Sequence, residues 1–129
     1  MSTLYVIGIG PGAYEKMTIE AAEALKSSDV IVGYTVYVDL VKEHFPGKAF
    51  LTTPMTKEVE RCELAFAEAA KGRTVAMICS GDAGVYGMTG LMCEIGIRYP
   101  QVELKLIGGV TAATGGAAVL GAPLIHAFA

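Results

Sequence analysis

Few residues in this sequence can hold a metal or form a disulfide. His44 and His126 are far apart and make no ligand pair. Cys62, Cys79 and Cys93 are an odd number and follow no zinc spacing, so neither a metal site nor a disulfide framework is expected. They read as small buried hydrophobes in a reducing cytosol. Basic residues are outnumbered, ten against thirteen acidic ones, which leaves a net charge of −3 and no electrostatic footprint for nucleic acid. No apolar run reaches the roughly 18 residues that a bilayer-crossing helix needs, so no membrane partner is expected. Met1 to Gly10 lacks the basic start of a secretory signal, and a cytoplasmic location is expected. Sixteen glycines with only five prolines and no repeat exclude collagen and low-complexity linker. There is no nucleophile–base pair, no paired carboxylate constellation and no G-x-x-x-x-G-K-[ST] phosphate loop.

What is present is apolar. Hydrophobic residues make up 53% of the 129 and charged ones 18%, a balance that excludes a disordered chain and fits one domain. Strand and helix signals alternate from end to end. Leu4-Tyr5-Val6-Ile7-Gly8 reads as a buried strand, Met17 to Ser28 as a helix with Ile19, Ala22 and Leu25 at helical spacing, and Asp29 to Val32 as a second strand. Thr35 to Phe45 reads as a helix with Val38, Leu40 and Val41 apolar, stopped by Pro46-Gly47; Ala49 to Leu51 is a weak strand.

Thr56 to Lys71 is the clearest helix, with Val59, Cys62, Phe66 and Ala69 on one face and Glu58, Glu60, Glu63 and Glu68 mostly on the others. Thr74 to Cys79 is a strong buried strand, Val85 to Tyr99 a helix, and Val102 to Ile107 a half-buried strand with Val102, Leu104 and Leu106 inward. Thr111 to Leu120 suits a tightly packed helix. The expected fold is α/β: a five-stranded, mainly parallel, doubly wound sheet with helices on both faces.

Ligands bind beyond the carboxyl ends of the strands in such a sheet. Three glycine-rich segments fall there, after the first, fourth and fifth strands: Gly8-Ile9-Gly10-Pro11-Gly12, Ser80-Gly81-Asp82-Ala83-Gly84 and Gly108-Gly109-Val110-Thr111-Ala112. They are expected to share one ligand. The first matches a loosened dinucleotide fingerprint, but the next helix begins only near Met17 or Thr18, and Asp29 is at the wrong end of its strand to hold a ribose. Asp82 either binds a ligand or caps the next helix, and Thr111 has the same two options. Tyr34, Tyr37 and Tyr86 either flank a flat, apolar ligand or are half-buried surface residues. Chemistry here would come from a reactive cofactor that the protein positions.

Taken together, Tyr5-Val6-Ile7-Gly8-Ile9-Gly10-Pro11-Gly12, Ser80 to Met88 and Gly109-Val110-Thr111-Ala112-Ala113 resemble the three motifs of the tetrapyrrole (corrin/porphyrin) methylase family. Val32-Gly33-Tyr34-Thr35-x-Tyr37-Val38 and Gly121-Ala122-Pro123-Leu124-x-His126 resemble its subgroup acting at carbon 17 of precorrin-3B. The resemblance runs along the whole chain. It implies methyl transfer from S-adenosylmethionine to that carbon, with ring contraction, in cobalamin biosynthesis. The substrate would be precorrin-3B or its cobalt form.

The resemblance also implies cofactor contacts at Gly10, Pro11, Gly12, Ser80, Gly81, Asp82, Val85, Thr111 and Ala112, and substrate contacts at Tyr34, Tyr37 and Tyr86. Residues 1–123 would be the family's N-terminal α/β domain and 124–129 the start of an interdomain linker, with the C-terminal domain absent. A homodimer is expected, and a chain that is inactive by itself. Three motif positions depart from the family's pattern: Ala83 follows Asp82, Gly108-Gly109 replaces Pro-Gly, and Ala127 follows His126. Tyr34 stands near the place of the catalytic Asp of the uroporphyrinogen-III methylases, so no general base is carried over. The alternative reading is a non-catalytic α/β ligand-binding or interaction domain.

Overall fold

The computed structural model describes residues 2–10, 17–79 and 89–108. Five strands, β1 (Ser2–Gly8), β2 (Val30–Tyr34), β3 (Ala49–Thr53), β4 (Val75–Cys79) and β5 (Val102–Ile107), form one sheet in the order β3-β2-β4-β1-β5. Every pairing is parallel, so the sheet is wholly rather than mainly parallel. β4 lies near its centre, and all five of its residues are buried. A strand covered on both faces needs a continuous apolar run, and Val75-Ala76-Met77-Ile78-Cys79 is one.

Successive side chains of a strand point to opposite faces, which divides the core in two. Val75, Met77 and Cys79 join Leu4, Val6 and Val32 on one face. There they meet Cys62, Ala65, Phe66 and Ala69 of α3 (Glu58–Ala70) and Met92 and Ile95 of α4 (Thr89–Gly96). Ala76 and Ile78 join Ile7 and Ile31 on the other face. There they meet Ala21, Ala24 and Leu25 of α1 (Ile19–Ser27), and Val38 and Val41 of α2 (Thr35–Val41). The sheet is therefore doubly wound.

Local chemistry sets the helix ends. Thr18 Oγ1 accepts from the Ala21 amide at 3.1 Å and caps α1, with Glu20 in the first turn and Lys26 in the last, each matching the helix dipole. α2 stops short of the expected Phe45 because its last turn tightens into a 3₁₀ turn at Lys42–His44. Gly47, at φ +83°, then reverses the chain. The described part of α4 ends at Gly96, before the expected Tyr99, in a turn closed by the Tyr99 amide on the Gly96 carbonyl. Residues 85–88 of that expected helix, and the expected helix over 111–120, lie outside the described residues.

Several apolar residues assigned inward are exposed. Ile19 is 81% exposed, because a strict three-residue spacing drifts by about 60° per step around a helix and carries Ile19 away from Leu25. Val59 sits in the first turn of α3, above the α3–α4 groove rather than the sheet, and Ala65 packs inward with Cys62 and Phe66. Leu40 and Leu106 are also exposed, Leu106 on an edge strand. Cys93 is exposed, unlike buried Cys62 and Cys79. Glu68, expected on a polar face, is buried. Its carboxylate meets Lys71 Nζ at 2.6 Å and Arg73 Nη1 at 3.5 Å.

Candidate functional site

Parallel pairing brings three strand ends together. Gly8 is in register with Cys79, and Ile7 with both Ile78 and Ile107. The Ile9 amide then donates to the Cys79 carbonyl at 2.9 Å, which carries the β1–β4 pairing past the sheet edge. Neighbouring strands are about 4.8 Å apart, so the ends of β4, β1 and β5 span about 10 Å. The chain that leaves β1 goes to α1 on one face, and the chain that leaves β4 goes to α4 on the other. In parallel α/β sheets, divergence of this kind marks the edge at which ligands bind.

Gly10 is at this edge with φ +69°, a left-handed conformation that a residue with a Cβ rarely adopts. Of the cofactor residues expected from the sequence, Gly10 is the one described. Pro11, Gly12, Ser80, Gly81, Asp82, Val85, Thr111 and Ala112 lie outside the described residues, as does Tyr86. Asp29 is at the opposite edge, as expected, where its amide donates to the Thr74 carbonyl at 2.7 Å and its Oδ2 accepts from the Thr74 amide at 3.0 Å.

Tyr34 and Tyr37 come together beyond β2. Both are half-buried, and their rings meet edge to face, with centroids 5.3 Å apart and planes at 88°. Tyr34 ends β2 in register with Thr53, which ends β3. The Thr53 carbonyl accepts from Thr35 Oγ1 at 3.4 Å. A cavity of about 120 Å³ opens here, lined by Tyr34, Tyr37, Met55, Glu58 and Arg61.

Arg61 was not singled out from the sequence. Its Nε donates to Thr53 Oγ1 at 2.7 Å and its Nη2 to the Pro54 carbonyl at 3.3 Å, and its Cζ lies 5.9 Å from the Tyr34 ring centroid. The available signal was positional. Arg61 precedes the buried Cys62 and lies four residues before the buried Ala65, on the flank of the apolar face.

Away from this edge, burial pushes the Cys62 thiol up to about 12. The hydrogen bond from Lys71 holds the Glu68 carboxyl below its usual value, helped by the charges of Lys71 and Arg73 and opposed by burial. Among the described residues, no His, Cys, Asp and Glu cluster could hold a metal, and no helix is long and apolar enough to cross a membrane.

Comparison with known proteins agrees with this architecture. The chain is 48% identical over 126 residues to a probable cobalt-factor III C(17)-methyltransferase of Salmonella typhimurium, covering 97% of this chain and 52% of that protein. The crystal structure of the methyltransferase CobJ superposes with a TM-score of 0.82 at 33% identity, covering 98% of this chain and 54% of that one. A uroporphyrin-III C-methyltransferase from Thermus thermophilus, solved with S-adenosylhomocysteine, superposes with a TM-score of 0.71 at 26% identity, over 96% of this chain and 53% of that one. The chain spans about half the length of each of the three. The family profile described as Tetrapyrrole (Corrin/Porphyrin) Methylases matches residues 3–129, and the chain belongs to that family.

Proposed function

We propose that this chain forms the amino-terminal half of the site of an S-adenosylmethionine-dependent methyltransferase. Its substrate is a precorrin-3B-type tetrapyrrole, cobalt-bearing or metal-free, methylated at carbon 17 with contraction of the ring in cobalamin biosynthesis. The observation that carries this reading is the 48% identity, over 126 residues, to a probable cobalt-factor III C(17)-methyltransferase. The adjacent ends of β4, β1 and β5 and the left-handed Gly10 support a cofactor seat at that edge.

When bound, S-adenosylmethionine supplies a methyl group already activated as a sulfonium. The residues of this chain position and enclose. Gly10, Pro11, Gly12, Ser80, Gly81, Asp82, Val85, Thr111 and Ala112 hold the cofactor on three neighbouring segments. Tyr34, Tyr37 and Tyr86 flank the macrocycle. An electron-rich ring carbon is itself the nucleophile, so alignment and exclusion of water are the main requirements. Residues 1–123 form the α/β domain that carries these groups, and 124–129 begin the linker. The reading extends to a homodimer, supported by the exposed apolar Val59 and Ile97 in the groove between α3 and α4, which Glu63, Glu94 and Arg98 also line. Sedimentation at two concentrations tests that part.

The cofactor part is tested by calorimetric titration, with S-adenosylhomocysteine and with NAD, of residues 1–129 joined in place of the matching half of the Salmonella relative. Heat of binding with S-adenosylhomocysteine alone is expected. Binding of NAD alone would replace the methyltransferase reading with a dinucleotide enzyme.

A further inference from the structure

We infer that Arg61 seats a carboxylate arm of the tetrapyrrole and so selects substrates by their charged rim; this rests on the tetrapyrrole reading above. Arg61 is 7% exposed, the most buried of the three arginines. Arg73 is paired with Glu68, and Arg98 with Glu63 at 2.9 Å. Among the described residues Arg61 has no carboxylate partner, and both of its hydrogen bonds go to neutral oxygens, Thr53 Oγ1 and the Pro54 carbonyl. A buried guanidinium without a counter-charge is costly, and the cost is recovered when an anion arrives.

The two hydrogen bonds also aim the group. A guanidinium has five N–H donors in a rigid fork, and Nε and Nη2 each spend one. Arg61 lines the cavity, and its two hydrogen bonds leave N–H donors of the fork for a ligand there. The Tyr34 ring beside the guanidinium and the Tyr37 ring against Tyr34 give an aromatic wall next to a cationic floor. About 120 Å³ is well below the 300 Å³ or more of a whole-ligand pocket, so the cavity suits one arm of a larger molecule.

Its place fits that role. Tyr34 and Thr53 end β2 and β3 at the same sheet edge as Gly10. β2 is two strand spacings from β1, about 10 Å, so a macrocycle methylated beside the cofactor segments can reach Arg61 with a side arm. The segment leading into α3 is strained. Thr56 has φ +68°, where a β-branched residue is rare, and the adjacent Met55 lines the cavity. Precorrin-type rings carry acetate and propionate arms, and a carboxylate accepts two parallel N–H bonds from such a fork. The exposed carboxylate of Glu58, one turn before Arg61 on α3, lines the same cavity and opposes the same arm.

The test uses the 129-residue chain and two porphyrin probes, uroporphyrin III with carboxylate arms and a water-soluble porphyrin with neutral glycol arms. Wild type is expected to prefer uroporphyrin. Arg61→Gln is expected to weaken uroporphyrin about tenfold to a hundredfold, to leave the neutral porphyrin unchanged and to flatten the salt dependence. Arg61→Lys should recover part of the loss, and Glu58→Gln should strengthen uroporphyrin binding. A bracing role alone would not change the preference between the two probes. Because Arg61 also braces Thr53, a second readout uses wild type alone: the Arg61 Nε–H resonance should shift with uroporphyrin and not with the neutral probe. Wild-type binding of uroporphyrin with an unmoved Arg61 resonance, or equal affinity in Arg61→Gln, would overturn the assignment of Arg61 alone. Failure of wild type to bind either porphyrin would overturn the tetrapyrrole reading and this inference together.

Discussion

A methyl group placed on Gly33 would stand 2.6 Å from Cγ1 of Ile78 and 3.2 Å from Cγ2 of Val38. Gly33 lies in β2, and both neighbours belong to the core on the α1–α2 face. Relief would require movement of the body of Ile78 rather than of a flexible tip. Gly33→Ala gains about 0.4–1 kcal/mol by restricting the unfolded chain. Overpacking a tight core costs about 1–3 kcal/mol, so the net effect is destabilising. Urea unfolding should show a lowered midpoint; an unchanged or raised midpoint would mean that β2 and β4 have room to spare.

Glu68 makes stability depend on acid. Its carboxyl is held low in the folded chain by the hydrogen bond from Lys71 and the charge of Arg73. A depressed folded value contributes stability that is present above the unfolded value, about 4.3, and lost as pH falls through the folded one. Glu68→Gln should lower the denaturation midpoint near neutral pH, and the gap to wild type should close as pH drops toward 3. A gap that does not change with pH would show that the buried side chain acts by packing rather than by charge.

The cysteines should differ sharply in reactivity. Cys62 is buried in the core, and its thiol is pushed up to about 12, chiefly by that burial. Cys93 is exposed. Iodoacetamide at pH 8 should therefore label Cys93 in the native chain and reach Cys62 only after denaturant, read by peptide mass mapping. The same raised value makes the Cys62 contribution full below the unfolded thiol value, about 8.5, and lost as pH rises toward 12. Rapid native labelling of Cys62 would contradict the packing of α3 on the sheet.

Capping of α1 by Thr18 is testable in the same way. Thr18→Ala removes the acceptor for the Ala21 amide and should cost about 1 kcal/mol, while Thr18→Ser should cost far less. Equal losses in the two would point to the lost methyl group instead.

Much of this fold was legible because burial on both faces leaves a plain sequence mark. Val75 to Cys79 could only be a central strand, and the Val102–Ile107 boundaries match the alternation in that segment. The misses share a cause. Periodicity says which side chains of a helix can share a face, but not how far a neighbour extends beneath them. Leu40 and Val59 are therefore apolar and exposed. Arg61 was hidden for the same reason. In sequence it is one charge among Glu58, Glu60 and Glu63, and what buries it, Thr53 and Tyr34, comes from two other elements. Gly10, Tyr34 and Tyr37 were legible as candidates by type and position, and the two tyrosines meet because Tyr37 lies three residues after Tyr34, in the first turn of α2.

The central claim is methyl transfer, and one measurement tests it most directly. Residues 1–129 are joined in place of the matching half of the Salmonella relative, and the chimera is given methyl-labelled S-adenosylmethionine with cobalt-factor III. The account predicts labelled macrocycle, heavier by one methyl group, and loss of the label when Asp82→Ala is introduced. A folded chimera that binds S-adenosylhomocysteine and leaves the macrocycle unlabelled would contradict it.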